Sequence, residues 1–155
     1  MANTYSQIYM HIVFSVKGRS SLIKPQYEET LYSYICGACQ NRKHHVHAIG
    51  GMPDHIHMLI GMQPSESVSD LVRNLKIETC KLMHAQFGVY QFAWQSGFAA
   101  FSYSKTFVPQ VIKYILGQKE HHRKISFKEE LERIFDKAEI DYDEKYMMKG
   151  CDENA

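Results

Sequence analysis

Two histidines one residue apart, His55 and His57, lie in the run Asp54-His55-Ile56-His57-Met58-Leu59-Ile60. On a β-strand that spacing points both imidazoles out of one face, and two neutral nitrogen ligands side by side suit a divalent metal. Further along, Tyr114 and Gln118 stand four apart in Val111-Ile112-Lys113-Tyr114-Ile115-Leu116-Gly117-Gln118, a spacing that stacks a phenol and an amide oxygen on one helix face. Together the four residues describe a metal-assisted tyrosine nucleophile. Each pair alone has a plainer reading. His-x-His occurs on strands by chance, and Tyr114, one of ten tyrosines, sits near Val111, Ile115 and Leu116 and fits equally as a core residue of its helix.

These side chains need elements to hold them. Gln7 to Val16 alternates, with Ile8, Met10, Ile12, Phe14 and Val16 on one face and Gln7, Tyr9, His11, Val13 and Ser15 on the other, the pattern of a half-buried strand. From Pro25 to about Asn41, Tyr27, Leu31, Tyr34, Ile35 and Ala38 recur at helical spacing, with proline in the first turn. Val46–Met52 and His55–Met62 are short apolar runs joined by Pro53-Asp54, which predicts a hairpin. Ser67 with Asp70 caps an apolar stripe that runs to Gly88. Gly97 to Ser104 reads as a fourth strand, Val108 to about Gln118 as the helix bearing Tyr114, and Ser126 with Glu129 as a capping box opening an acidic amphipathic helix over Phe127–Ala138. The order predicts an α+β fold with an antiparallel sheet, the split β-α-β arrangement of ferredoxin, followed by the tyrosine helix and a C-terminal helix.

If Met52 pairs with His55 around the turn, Gly50 lies opposite His57 on the same face. Glycine there leaves open space for a metal and a substrate, although a tight hairpin wants glycine in any case. The same register pairs His47 near Ile60 and points it to the opposite face, which removes it as a ligand.

The chain of 155 residues, 45% hydrophobic, fits one domain spanning 1–155. No run approaches the ~20 apolar residues that span a bilayer, and Met1-Ala2-Asn3-Thr4 does not open a secretory signal, so a cytoplasmic location is expected. Among four cysteines, Cys36 and Cys39 form a Cys-x-x-Cys pair within a helical pattern, while Cys80 and Cys151 supply no second pair to close a zinc site. Buried thiols are the better reading. The net charge of +1 conceals a division: 13 Lys and Arg against 7 Asp and Glu through residue 125, then 5 against 10 from Ser126 onward. A mildly basic body suits a polyanion, and it carries an acidic C-terminal extension from about residue 126, with Asp141-Tyr142-Asp143-Glu144-Lys145-Tyr146 within it.

The segment Gly50-Gly51-Met52-Pro53-Asp54-His55-Ile56-His57-Met58-Leu59-Ile60, with Trp94-Gln95-Ser96-Gly97-Phe98 and Tyr114-x-x-x-Gln118, closely resembles the bacterial single-tyrosine HUH transposases, the small IS200-like insertion-sequence enzymes. The resemblance runs from His11-Ile12-Val13-Phe14 to about His122. The tyrosine follows the histidines here, the order of these transposases and the reverse of conjugative relaxases. The resemblance implies a ferredoxin-like fold, Mg²⁺ or Mn²⁺ held by His55, His57 and Gln118, and Tyr114 as the nucleophile that leaves a 5′-phosphotyrosine and a free 3′-hydroxyl. It also implies single-stranded DNA with a hairpin as partner, no nucleotide cofactor, and a homodimer in which the tyrosine helix of one subunit completes the histidine site of the other.

For contacts to the DNA backbone the candidates are Arg73, Lys76, Lys81, Lys105 and Lys113, with the cluster His121, His122 and Arg123, which reads equally well as a solvated helix end. Two further functional classes fit the same residues. A domesticated descendant would bind hairpins without cleaving. A metal-dependent hydrolase unrelated to DNA would use the histidines and treat Tyr114 as dispensable.

Overall fold

The computed structural model describes residues 4–141. Met1-Ala2-Asn3, Cys151 and the acidic run beyond Asp141 lie outside the described residues. Strand β1 (Tyr9–Ser15) leads to helix α1 (Pro25–Asn41), then to the hairpin of β2 (His45–Met52) and β3 (His55–Gly61). Helix α2 (Val68–Phe87) returns to β4 (Ala99–Tyr103), followed by α3 (Val108–Leu116), the short α4 (Gln118–His121) and α5 (Phe127–Lys137). The four strands form one antiparallel sheet in the order β2-β3-β1-β4. This is the split β-α-β topology, with β3 inserted between β1 and β2.

Local chemistry sets the ends of the long helices. Pro25 opens α1 at a position whose N–H has no helical partner. The Ser67 hydroxyl accepts the Asp70 N–H at 3.1 Å, and Gly88 closes α2 at φ 67, a left-handed conformation that costs glycine little. Ser126 caps α5 in the same way through the Glu129 N–H.

One face of the sheet, carrying Ile12, Phe14, Ile56, Met58 and Ile60, packs on Leu31 and Ile35 of α1 and Leu71, Leu75 and Met83 of α2. Each such side chain removed from water contributes roughly 1.5–3 kcal/mol. Trp94 seals this core edge-on to Phe14 and Phe92, and its indole N–H donates to the Thr79 hydroxyl at 2.8 Å. Cys39 is buried and Cys36 partly so in α1, and burial pushes the Cys39 thiol up to about 12.

The opposite face is covered too. Helix α3 sets Val108, Val111 and Ile115 on Ala48 and Leu59, while α5 sets Phe127 and Leu131 on Val13. β1 is therefore buried on both faces, from His11 to Ser15, rather than half-buried as its alternation predicts. The polar half of the alternation is polar because it lines a site, not because it meets solvent. No helix among the described residues is long and apolar enough to cross a membrane.

Candidate active site

The hairpin register is the expected one: Met52 pairs with His55 and Gly50 with His57. His55 and His57 consequently project from the covered face, 1% and 0% exposed. The space above Gly50 is not open. A Cβ built there would lie 2.3 Å from the Ile115 carbonyl oxygen, so the glycine lets the backbone of α3 rest on β2. Gly51 serves the turn instead, since a Cβ there would meet the His55 carbonyl. A bulge between Val46 and Ala48 pairs Val46, not His47, with Ile60. His47 is thereby turned to the site's face of the sheet, against Tyr9 and His45. Its ring nitrogen faces the Gly61 end of β3, four residues and about 13 Å along the strand from His57, so it is no ligand.

Tyr114 and Gln118 do not share one helix. α3 ends at Leu116, Gly117 leaves helical geometry at φ −93 and ψ 14, and Gln118 opens α4. Both side chains nevertheless reach the histidines. Gln118 Oε1 lies 3.1 Å from His55 Nε2, and the Tyr114 ring stands edge-on to His57 at 5.7 Å between centroids. The tyrosine helix thus rests on the histidines of its own chain, whereas the resemblance implies that it serves a partner's.

The centre of the site is a residue that sequence reasoning passed over. Glu130 of α5 is 1% exposed, and its Oε1 lies 3.0 Å from His57 Nε2, 3.1 Å from His122 Nε2 and 3.6 Å from His55 Nε2. Its Oε2 accepts from the Tyr114 hydroxyl and, at 2.8 Å, from the Gln118 amide. Burial alone would raise this carboxyl, but the bonds from His122, His57 and Tyr114 outweigh it and hold Glu130 well below the usual range. Burial and the adjacent Glu130 charge push the Tyr114 phenol up, so it stays protonated at neutral pH. A signal for Glu130 did exist in the sequence. Phe127, Leu131, Ile134 and Phe135 form the apolar stripe of α5, and Glu130 falls on that stripe, where an unpartnered carboxylate would be costly.

A second layer orients the imidazoles. Asp54 Oδ1 accepts the Nδ1–H of His55 at 2.8 Å and is itself paired with Arg19, and Phe127 stacks on the His55 ring at 3.9 Å between centroids. Burial would raise the Asp54 carboxyl, but His55 and Arg19 lower it. His57 Nδ1 lies 2.8 Å from His11 Nε2, and burial pushes His11 down to about 3 and His57 to about 4. With its Nδ1 proton committed to Asp54, His55 turns Nε2 toward the amide oxygen of Gln118, and wherever that nitrogen carries no proton its lone pair faces the oxygen. Two acceptors facing each other fit a cation between them, and a carboxylate-histidine pair is the usual support of a metal ligand.

The surface candidates divide. His121 and His122 do not form a solvated helix end: both turn inward to Glu130, and the His122 side chain is 6% exposed. Lys76 is occupied, donating to the Gln95 and Gly97 carbonyls at 2.8 and 2.6 Å across the Phe14 ring, so it braces the Trp94 loop rather than offering itself to DNA. Arg73 and Lys81 are exposed on α2, across the sheet from the site, with Arg73 ion-paired to Asp70. Lys105 precedes α3 and Lys113 lies on it, both exposed, and exposed Arg123 pairs with Glu120.

With this geometry in view, comparison with known proteins is specific. The family model described as "Transposase IS200 like" matches residues 4–118. Transposases for insertion sequence element IS200 from Salmonella typhimurium and Salmonella typhi are each 27% identical over 96 residues, 62% of this chain and 63% of theirs. The chain thus spans less than two thirds of the length of these relatives. Among solved structures, a Deinococcus radiodurans R1 protein described as a candidate transposase superposes with a TM-score of 0.62 at 19% identity, covering 74% of this chain and 93% of that one. A REP-associated tyrosine transposase bound to a REP hairpin gives 0.55 at 17% identity, covering 74% and 68%. These two share the fold.

Proposed function

The chain belongs to the IS200-like transposase family, and from that premise we propose that it cleaves and rejoins single-stranded DNA at insertion-sequence ends, with Tyr114 as nucleophile. The observation that carries this reading is the convergence of the Tyr114 hydroxyl, the Gln118 amide and the imidazoles of His55 and His57 on one buried point, marked by the Glu130 carboxylate.

His55, His57 and Gln118 would hold a divalent cation, Mg²⁺ or Mn²⁺. When bound, that ion supplies Lewis-acid polarisation of the scissile phosphate. Tyr114 attacks phosphorus, forming a 5′-phosphotyrosine as the P–O3′ bond breaks, and the departing oxygen takes up a proton, equivalent to the one the phenol gives up, to leave as a 3′-hydroxyl. The phenol proton points at Glu130 Oε2 before attack, which gives it a defined acceptor. Asp54 and His11 keep the two imidazoles in fixed orientations, and Phe127 excludes water from the His55 ring face. Tyr114 and His121 are the partly exposed members, so the phosphate approaches from their side. Because the tyrosyl ester retains the energy of the broken bond, a second 3′-hydroxyl can resolve it without a nucleotide cofactor.

As partners we propose single-stranded DNA bearing a hairpin and a second copy of this chain. Lys105, Lys113 and Arg123 stand near enough the tyrosine helix to follow the strand, and Arg73 and Lys81 could touch only a duplex arm that wraps to the other face. Exchange of the tyrosine helix between copies would require α3 to leave Ala48 and Leu59 and to pivot near Gly117. Mixing Tyr114→Phe protein with His55→Ala protein reads this directly, because only an exchanged helix restores cleavage.

The deciding experiment is incubation with Mg²⁺ and labelled single-stranded DNA from the flanks of the gene, resolved on a denaturing gel. A covalent band that is lost in Tyr114→Phe while hairpin binding persists supports the transposase reading. Hairpin binding without any adduct favours a silent binding protein, and hydrolysis that survives Tyr114→Phe favours a metal-dependent hydrolase.

A further inference from the structure

We infer that the metal site of this chain has two ligands beyond those implied by the family resemblance, Glu130 through Oε1 and His122 through Nε2, so that the segment after Gln118 completes the ion's coordination. The inference rests on the proposed metal dependence and deepens it. Both residues lie past residue 118, where the match to the family model ends.

The argument begins with tautomers. His122 Nδ1 lies 3.0 Å from the Ile125 carbonyl oxygen, and a carbonyl can only accept, so that nitrogen carries a ring proton. The other nitrogen, Nε2, faces Glu130 Oε1 at 3.1 Å and becomes a ligand lone pair when an ion displaces its proton. His55 is oriented in the same sense by Asp54, and its Nε2 faces Gln118 Oε1 at 3.1 Å and Glu130 Oε1 at 3.6 Å. Two imidazole nitrogens, an amide oxygen and a carboxylate oxygen therefore converge, and an ion bound among them would displace the proton that His122 otherwise shares with Glu130. His55, His122 and Glu130 each bring one such atom within 4.8 Å of the others.

The spacings agree with a common ion. Ligands at about 2.1 Å from a metal in octahedral or tetrahedral arrangement stand roughly 3.0 to 3.4 Å from one another. The separations from Glu130 Oε1 to His57 Nε2 and His122 Nε2, and from His55 Nε2 to Gln118 Oε1, are 3.0, 3.1 and 3.1 Å, while that from His55 Nε2 to Glu130 Oε1 is slightly wider at 3.6 Å. The second carboxylate oxygen stays bonded to Tyr114 and Gln118, so one residue would couple the ion to the nucleophile. A carboxylate also suits the hard cations Mg²⁺ and Mn²⁺ better than imidazole and amide alone.

The test is Mn²⁺ binding to the full chain without DNA, followed by electron paramagnetic resonance of free Mn²⁺ and by calorimetry. Glu130→Gln preserves shape and removes the charge, and His122→Ala removes the nitrogen. Each should weaken Mn²⁺ binding at least about tenfold, while Glu130→Asp retains part of the affinity. Circular dichroism melting reports whether each variant is folded. As an independent readout in the unaltered protein, the His122 ring resonances should broaden when substoichiometric Mn²⁺ is added. Affinity unchanged or increased in both Glu130→Gln and His122→Ala, with binding lost in His55→Ala, would overturn the inference and leave the proposed function standing, with Glu130 occupying the cation's place as a plug. No Mn²⁺ binding to the unaltered protein would overturn the inference as well, and the two rings would then be imidazolium partners of Glu130. The covalent-adduct assay reports separately on whether the transposase reading survives that result.

Discussion

Gly50→Ala probes how the sheet positions the nucleophile. The added Cβ would stand 2.3 Å from the Ile115 carbonyl oxygen, where 3.0 Å is the practical limit, so α3 must lift from β2 by at least about 0.7 Å. The obstacle is backbone at the last turn of α3, one residue past Tyr114, and no side-chain rotation relieves it. Overpacking of this kind costs about 1 to 3 kcal/mol, which for a chain of this size lowers the melting temperature by about 2 to 10 °C. Displacement near 1 Å of a reacting group costs on the order of a hundredfold in rate, so covalent adduct formation at saturating DNA should slow by tens to a hundredfold well below the melting point. Gly37→Ala is the control. Gly37 lies inside α1 with nothing within 4 Å of its would-be Cβ, and alanine there should stabilise by up to about 1 kcal/mol without changing the adduct rate. A Gly50→Ala protein with unchanged melting and unchanged rate would refute the account of how α3 is seated.

Other expectations follow from the same contacts. Trp94→Phe removes the donor to Thr79 and leaves a buried hydroxyl short of one partner, so it should cost about 1 to 2 kcal/mol in calorimetric melting while leaving adduct formation intact. The histidines predict acid sensitivity in chelator. His11 and His57 are pushed down to about 3 and 4 from the ordinary 6.5, so the unfolded chain binds protons that the folded chain refuses. Their stabilisation is complete above pH 6.5 and is lost as pH falls toward 4, by up to about 1.4 kcal/mol per pH unit for each ring. His122 is raised despite burial, because Glu130 favours its charged form, and it opposes this trend. A melting temperature that stays flat or rises between pH 6.5 and 5 would contradict the balance. Finally, Cys39, pushed up to about 12 by burial, should escape iodoacetamide at pH 8 in the native protein and react once the chain is unfolded, as peptide mass spectrometry would detect.

Much of this architecture is legible from residues whose physics is local. Pro25, Ser67 and Gly88 mark helix ends because each satisfies or removes a terminal backbone group, and the alternation of β1 and the Pro53-Asp54 turn fix a register that places Gly50 opposite His57. The failures are tertiary. The bulge at Val46/Ala48 reverses the side on which His47 stands, and no residue there announces it. Gly50 looks like room for a ligand until α3 is seen lying in that room. The charge excess after Ser126 reads as a solvated, acidic extension, yet α5 brings Glu130 and Phe127 onto the histidines, and His121 and His122 turn inward with them. A charged residue on an apolar helix stripe is the trace such an arrangement leaves, and its partners come from β3, 73 residues back, as well as from α3 and α4.

The most direct test of the central claim is to digest the covalent protein-DNA product formed with Mg²⁺ and single-stranded DNA and to locate the attachment by tandem mass spectrometry. The account predicts a nucleotide joined through its 5′-phosphate to the phenol oxygen of Tyr114. Attachment at another residue, or cleavage without any covalent product, would contradict it.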